Sequence, residues 1–447
     1  TMELATAGLT DADDLSPISV TVFGLGKMGL PLAAVLADHG ATVTGVDIDA
    51  ETVASINDGD APVSEPGLAD RLDVYAGGRL TATTDGRAAV ADADVHVVLV
   101  PTLVDDASEP DLDPVLAAAN TIRDGLTPGD LVVLESTVPP GTTAGAFTEA
   151  VEPAGLTAGD DFAVAHCPER TSSGQVIRDL TESYPKIVGG LTPTGTDAAA
   201  SFYRQFNQPG VVEMPSATAA EAVKVFEGVY RDVNIALANE LAKACEEWEL
   251  DAATVFDAAN SQPYCNIHDP GVGVGGHCIP VYPHFVMNRA TETPLLSTAR
   301  QVNDGMPVHT ANRTVDLLDG AGVLPADASV LVLGLTYRPG VPETRFAPAF
   351  DLIEELRERG CDVSGHDPLL TPTEIESTGA TPIENPLVTD WDAVVLATGH
   401  EVYRDLDLSK LADRMRTPIL VDGRDFFDAD AVSAFTYACI GDGTAAT

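Results

Sequence analysis

With 447 residues, 45% of them hydrophobic, the chain is too long for a single core and too apolar to be disordered, so two or three domains are expected. Its 69 acidic residues against 24 basic ones, with five lysines in all, leave a net charge of −45 and exclude a nucleic-acid partner, because no basic stripe offsets the acid. Acid spread along the whole length reads as a solvation strategy for a halophile's cytoplasmic protein, since the Debye length falls to roughly 3 Å at 1 M salt. No run approaches the roughly 20 apolar residues of a membrane span, so no membrane partner is expected. Residues 1–17 are acidic and polar, an expected flexible lead-in rather than a signal peptide. Six cysteines (Cys167, Cys245, Cys265, Cys278, Cys361 and Cys439) without a C-x-x-C indicate neither a disulfide framework nor a zinc site, and no metal is expected.

The first domain is expected over 18–210. Ile18-Ser-Val-Thr-Val-Phe-Gly24 suits a buried strand, and Gly24-Leu-Gly26-Lys27-Met28-Gly29 then opens a helical pattern through Leu36. A second strand, Ala41 to Val46, ends in Asp47. A strand before the glycines, a helix after them and an acid about 20 residues on are the context that makes this a dinucleotide fingerprint. Gly24 permits the tight turn, Gly26 lets a pyrophosphate approach the helix N-terminus, and Gly29 allows close helix–strand packing. Asp47 is the expected acceptor for the adenosine ribose hydroxyls, which favours NAD over NADP; a Rossmann-like fold without cofactor is the competing reading.

Further strands at Val95–Val100, Leu131–Leu134 and Phe162–Ala165, alternating with helical patterns, predict a parallel doubly wound sheet. Val100-Pro101-Thr102 and Glu135-Ser136-Thr137-Val-Pro-Pro140 follow strands of that sheet, where open α/β sheets bind ligands. Their hydroxyls could hold cofactor or water, or serve ordinary turns. His166-Cys-Pro-Glu169-Arg170 follows another strand; a catalytic Glu169 competes there with a simple Glu169–Arg170 ion pair.

Residues 216 to about 259 change character, and a run of about 33 residues within them, or roughly 50 Å, carries apolar residues at helical spacing, expected as a spine or an oligomer interface within a central domain over 211–322. A homodimer through this helix is the expected assembly. Lys224 stands in its apolar stretch, either as an oxyanion stabiliser or as a snorkelling surface lysine. The loop Gly271-Val-Gly-Val-Gly275-Gly276-His277-Cys278-Ile-Pro280 presents a thiol on glycine-rich backbone, a candidate covalent nucleophile; a small buried hydrophobe is the alternative. The third domain, 323–447, repeats the strand–loop–helix–strand–acid layout from Ser329 to Asp367 without the glycine fingerprint, so a different ligand is expected there. The predicted fold is α/β: two Rossmann-like doubly wound parallel-sheet domains joined by a long central helix.

In order, Gly24-Leu-Gly-Lys-Met-Gly-Leu-Pro31, Val100-Pro-Thr102, Ser136-Thr-Val-Pro-Pro-Gly-Thr142, Cys167-Pro-Glu-Arg170, Lys224, Gly275-Gly-His-Cys-Ile-Pro280 and Gly334-Leu-Thr-Tyr-Arg338 make the chain resemble the nucleotide-sugar 6-dehydrogenase family from about residue 18 to 430. Cys-Pro-Glu-Arg and Tyr230-Arg-Asp-Val-Asn-Ile-Ala-Leu-Ala-Asn-Glu240 look most like its UDP-N-acetylhexosamine branch, UDP-N-acetylmannosamine in particular.

The resemblance implies a four-electron, NAD-dependent oxidation of the sugar C6 alcohol to a uronate, in the service of polysaccharide biosynthesis. Cys278 would carry the thiohemiacetal and thioester. Lys224 would stabilise oxyanions, Thr137 and Glu169 would organise water or shuttle protons, and His277 adjoins the nucleophile. Lys27, Met28, Pro101 and Thr102 fall on the cofactor motifs. Glu169, Arg170, Lys224, Gly275, Gly276, Arg338, Arg345 and Arg424 fall at the sugar nucleotide. Three positions depart from the family pattern. Gly228 replaces a common asparagine and Tyr282 a common aspartate, while Ser261-Gln-Pro-Tyr264 replaces frequent arginines and leaves Tyr264 as the expected contact. A UDP-glucose 6-dehydrogenase and a non-catalytic nucleotide-sugar binding protein are the alternatives that these departures keep open.

Overall fold

The structure is a computed structural model that describes residues 4, 6, 9, 15–16, 18–105, 108–388 and 390–444. It divides into two compact units: Thr1–Glu227 with His284–Arg289, and Gly228–Pro283 with Ala290–Thr447. The boundary falls inside the long helix. Most of the acidic segment 1–17 lies outside the described residues; of those described, Leu4 and Leu15 are buried in the first unit's core.

The first unit is built on an eight-stranded sheet. Its strands are β1 (Ser19–Phe23), β2 (Thr42–Val46), β3 (Leu80–Thr83), β4 (Val95–Val98), β5 (Leu131–Leu134), β6 (Ala163–His166), β7 (Lys186–Gly190) and β8 (Val211–Glu213), in the order β8-β7-β6-β5-β4-β1-β2-β3. The first six read 3-2-1-4-5-6, the dinucleotide-binding order, and are parallel throughout. Val-Val and Leu-Val runs form the central strands because both faces are covered. Val97, Leu131 and Val133 enter one core with the helix Gly29–Asp38, while Val98, Val132 and Leu134 enter the other.

The edge departs from the parallel expectation. β7 runs antiparallel to β6, and neither β7 nor β8 is legible as a strand beforehand. Residues 167–185 hold only short helical turns, too little for the crossover that a parallel return requires.

The second unit holds a six-stranded sheet: β9 (Ser329–Leu333), β10 (Asp362–His366), β11 (Thr381–Pro382), β12 (Ala393–Leu396), β13 (Ile419–Asp422) and β14 (Thr436–Cys439). The order β11-β10-β9-β12-β13-β14 repeats 3-2-1-4-5-6, again all parallel.

The long helix runs from Ala217 to Glu247, 31 residues or about 46 Å. Glu249 ends it in a left-handed conformation (φ 57°), and the Asp251 side chain caps the following helix Ala252–Asn260 by accepting from the Ala253 and Thr254 N–H groups. Among the described residues no helix is long and apolar enough to cross a membrane.

Candidate active site

In the first unit β1 passes into the helix Gly29–Asp38 through the fingerprint, and its glycines serve different needs. Gly24 has φ 91°, and a Cβ there would overlap the Leu99 carbonyl oxygen; one on Gly29 would overlap the Gly24 carbonyl oxygen. A Cβ on Gly26 would meet nothing within 4 Å, so that glycine faces the open room a pyrophosphate needs. The helix has no side-chain cap bond; of its first N–H groups, Leu30 donates to the Gly26 carbonyl at 3.2 Å and Pro31 has none. Asp47, half-buried at the end of β2, accepts the Leu25 N–H on Oδ2 at 2.8 Å and the Asp49 N–H on Oδ1 at 3.0 Å. Its oxygens keep acceptor capacity for a ribose. Lys27 is exposed; Met28 is half-buried, its Sδ accepting from Thr171 Oγ1 at 3.2 Å. These residues fit NAD.

Two loops beyond β4 and β5 are stapled together. Ser136 Oγ accepts the Val100 N–H at 2.9 Å and donates to the Val100 carbonyl at 2.8 Å. Thr102 Oγ1 donates to the Thr137 carbonyl. Pro101 is exposed, and Thr102 and Thr137 are half-buried.

Glu169 and Arg170 do not pair with each other. Arg170 meets Glu227 at 2.6 Å, one turn beyond Lys224 on the long helix. Glu169 faces Lys224, with Nζ 3.7 Å from Oε2. Lys224 is 7% exposed, so it is no snorkelling surface lysine. The same helix carries a buried acid that motif reasoning passed over. Glu221, one turn earlier and 1% exposed, accepts the Gly141 N–H, the Thr143 N–H at 2.7 Å and the Thr143 hydroxyl at 2.6 Å. Burial raises the Glu221 carboxyl above its ordinary pKa, and these bonds oppose the shift. A glutamate amid alanines on the helix that carries Lys224 was the available signal. Beneath Glu169 lies a second acid missed as structural: Glu135, fully buried, pairs with Lys186 Nζ at 2.7 Å and accepts from Tyr203.

In the second unit Cys278 is half-buried, not the enclosed hydrophobe of the alternative reading. Its loop is held from two sides. The Gly276 N–H donates to the Arg345 carbonyl at 2.8 Å, and a Cβ on Gly275 would lie 2.8 Å from Tyr337 Cβ. His277 Nε2 lies 3.2 Å from Glu343 Oε2, so its ring is turned to that carboxylate. At the loop's start, Asn239 of the long helix accepts the Gly271 N–H at 2.9 Å and donates to Asn303 Oδ1 at 2.9 Å. Asn303 in turn donates to Asp232 Oδ1 at 2.8 Å, and Asp232 pairs with Arg300, all four side chains being buried.

The basic candidates differ among themselves. Arg338 and Arg345 are exposed beside the Tyr337 and Phe346 rings. Arg424 instead donates from Nε to the Ala397 carbonyl at 3.0 Å and from Nη2 to the Gly273 carbonyl at 3.4 Å, tying the cysteine loop to the sheet. Burial lowers its pKa, and Asp422 counters that. Tyr264, 95% exposed, follows the helix Ala252–Asn260. Asp367 stands where Asp47 stands in the first sheet but is buried. Its Oδ2 accepts the Leu335 N–H at 2.6 Å and faces His400 at 3.0 Å, so this copy has no acid left for a ribose. The two departures Gly228 and Tyr282 meet: a Cβ on Gly228 would overlap Tyr282 Cδ2 and lie 3.1 Å from Cγ.

A dinucleotide-binding sheet followed by a glycine-rich cysteine loop and a second mononucleotide-type sheet defines an NAD-dependent dehydrogenase of nucleotide-linked substrates. Models of the UDP-glucose/GDP-mannose dehydrogenase family match three parts of the chain: its NAD-binding domain at 18–207, its central domain at 218–305 and its UDP-binding domain at 331–429. The chain belongs to that family and is an NAD-dependent nucleotide-sugar dehydrogenase.

It is 35% identical over 426 residues to a UDP-N-acetyl-D-mannosamine dehydrogenase of Pyrococcus horikoshii, covering 95% of this chain and 99% of that one. It is equally 35% identical, over 95% of this chain and 99% of the other, to an NDP-N-acetyl-D-galactosaminuronic acid dehydrogenase of Ralstonia nicotianae. The solved UDP-D-ManNAc dehydrogenase of Pyrococcus horikoshii superposes with a TM-score of 0.87 at 33% identity, over 96% of this chain and all of that chain.

Proposed function

We propose that the protein oxidises the C6 alcohol of a UDP-N-acetylhexosamine, UDP-N-acetylmannosamine first among them, to the uronate, with Cys278 as the covalent carrier. The observation that carries this reading is the seating of Cys278: a half-buried thiol on a loop clasped by residues 337–346, at the start of the UDP-binding match. Bound NAD supplies the hydride acceptor for both oxidations, one equivalent each. Lys224 stabilises the C6 alkoxide as its proton leaves toward Glu169 and Thr137-held water, and later the tetrahedral oxyanions. The Cys278 thiolate adds to C6 of the aldehyde, forming a C–S bond and a thiohemiacetal. Departure of the second hydride from C6 leaves a thioester. Water then cleaves the C–S bond, releasing the carboxylate and returning the thiol. One alcohol, two NAD+ and one water thus give one carboxylate, two NADH and three protons.

Arg338 and Arg345 take the diphosphate and Tyr264 lies toward the sugar nucleotide, while Arg424 and His277 act on the cysteine loop. The protein works as a homodimer through the long helix, whose Phe226, Tyr230 and Leu237 are 56%, 55% and 47% exposed at helical spacing. Its place is a cytoplasm of high salt. Relatives named for the galactosaminuronic acid at the same identity support a second sugar epimer as the competing substrate. Initial rates with UDP-N-acetylmannosamine, UDP-N-acetylglucosamine, UDP-N-acetylgalactosamine and UDP-glucose in molar KCl decide between them. The mannosamine is expected to have the highest kcat/KM, and NADH from none of the four would leave a binding protein.

A further inference from the structure

We propose that Gly228 and Tyr282 form one size-matched seat that sets the position of Cys278, and that both are positioning residues for the reaction. Glycine is a poor choice inside a helix of 31 residues, so its presence needs a local cause. That cause is the Tyr282 ring. A Cβ at 228 would overlap its Cδ2 and stand 3.1 Å from Cγ and 3.2 Å from Cβ, so the ring lies directly on helix backbone. Tyr282 is 5% exposed and closed in.

The ring is coupled to the nucleophile by one turn of chain. The Tyr282 N–H donates to the Cys278 carbonyl at 3.0 Å, and the Val281 N–H donates to the same oxygen at 3.2 Å. Where the ring rests therefore fixes where the Cys278 backbone rests. Any side chain at 228 forces the ring to retreat by about an ångström to regain ordinary carbon–carbon contact. A displacement of that size at a reacting group is enough to cost about a hundredfold in rate. The two departures from the family pattern are then a single packing solution: the ring can rest where it does only because residue 228 has no side chain.

This inference rests on Cys278 as the nucleophile, and the experiment separates the two claims. In molar KCl, Gly228→Ala, Tyr282→Phe and the double variant Gly228→Ala/Tyr282→Leu are compared for kcat, for KM of the preferred UDP-sugar, and for the rate of iodoacetamide alkylation at Cys278 read by peptide mass spectrometry. Gly228→Ala raises helix propensity, so a loss cannot be charged to a weaker helix. Its kcat is expected to fall at least tenfold with KM within threefold, and its alkylation rate to change at least threefold. Replacing the ring with the smaller leucine side chain in the double variant is expected to restore both, and Tyr282→Phe to stay within threefold of the parent. Parental kcat and alkylation in Gly228→Ala, no recovery in the double variant, or a tenfold loss in Tyr282→Phe would each overturn the seat. Alkylation needs no turnover, so it reads the seat even if Cys278→Ala were to remain active and defeat the nucleophile itself.

Discussion

Glu221 shows how much of the candidate site depends on one residue that touches no reacting atom. Its carboxylate takes two backbone N–H groups and a hydroxyl from the turn Gly141–Thr143, which follows the Thr137 loop. Glu221→Ala would leave those donors buried without an acceptor, at a cost of about 1–3 kcal/mol. The expected outcome is a lower chemical-denaturation midpoint with an unchanged slope, whereas an unchanged midpoint would show that the turn needs no such anchor. At this scale the residues legible beforehand are those whose reason is local. Gly24, Gly26, Gly29 and Asp47 declare themselves within one strand–turn–helix–strand unit. The partners of Glu169 and Arg170 do not, because Lys224 and Glu227 are brought to them by a helix far along the chain. The family resemblance sets Arg424 at the sugar nucleotide; its donors meet the Ala397 and Gly273 carbonyls, contacts that only the fold creates.

At the scale of elements, the alternation of apolar runs with helical patterns is enough for both sheets' parallel cores. It fails at the edge, where Lys186-Ile-Val-Gly-Gly190 is a strand whose direction is set by a short, mostly non-helical connection rather than by its own residues. The long helix is legible from its period. How its C-terminal end is tied down is not. Glu246 there accepts the Gly441 N–H at 2.8 Å and faces His309 at 2.9 Å and Arg313 at 3.4 Å, binding the C-terminal segment to the helix.

Burial alone would raise the Glu246 carboxyl, but these partners outweigh it and hold the pKa below the ordinary 4.5. A folded-state pKa lower than the unfolded one gives stability that is fully present above pH 4.5 and is lost as the pH falls through the folded value. The gap in thermal midpoint between the parent and Glu246→Gln is therefore expected to be widest near neutral pH and to close below 4.5. A gap that widens on acidification would reverse the assigned sign.

Across the whole molecule the net charge is −45. Self-repulsion of this size opposes the compact state in dilute buffer and is screened as the Debye length shrinks toward roughly 3 Å at 1 M salt. The thermal midpoint is expected to climb steadily from about 0.1 to about 2 M KCl as that screening grows; a flat profile would remove the high-salt reading.

The repeated 3-2-1-4-5-6 order shows one chain using the same scaffold twice with different endings. In the first sheet Asp47 is left open to a ribose. In the second, Asp367 is consumed by backbone N–H groups and His400, and exposed arginines follow instead. The first sheet falls in the family's NAD-binding match and the second in its UDP-binding match.

The most direct measurement is the molar yield of NADH against limiting UDP-N-acetylhexosamine, taken to completion with the parent and with Cys278→Ala. Two NADH for each uronate formed, and no uronate from the variant, are the predicted result; one NADH per sugar from the parent, or undiminished uronate from the variant, would contradict it.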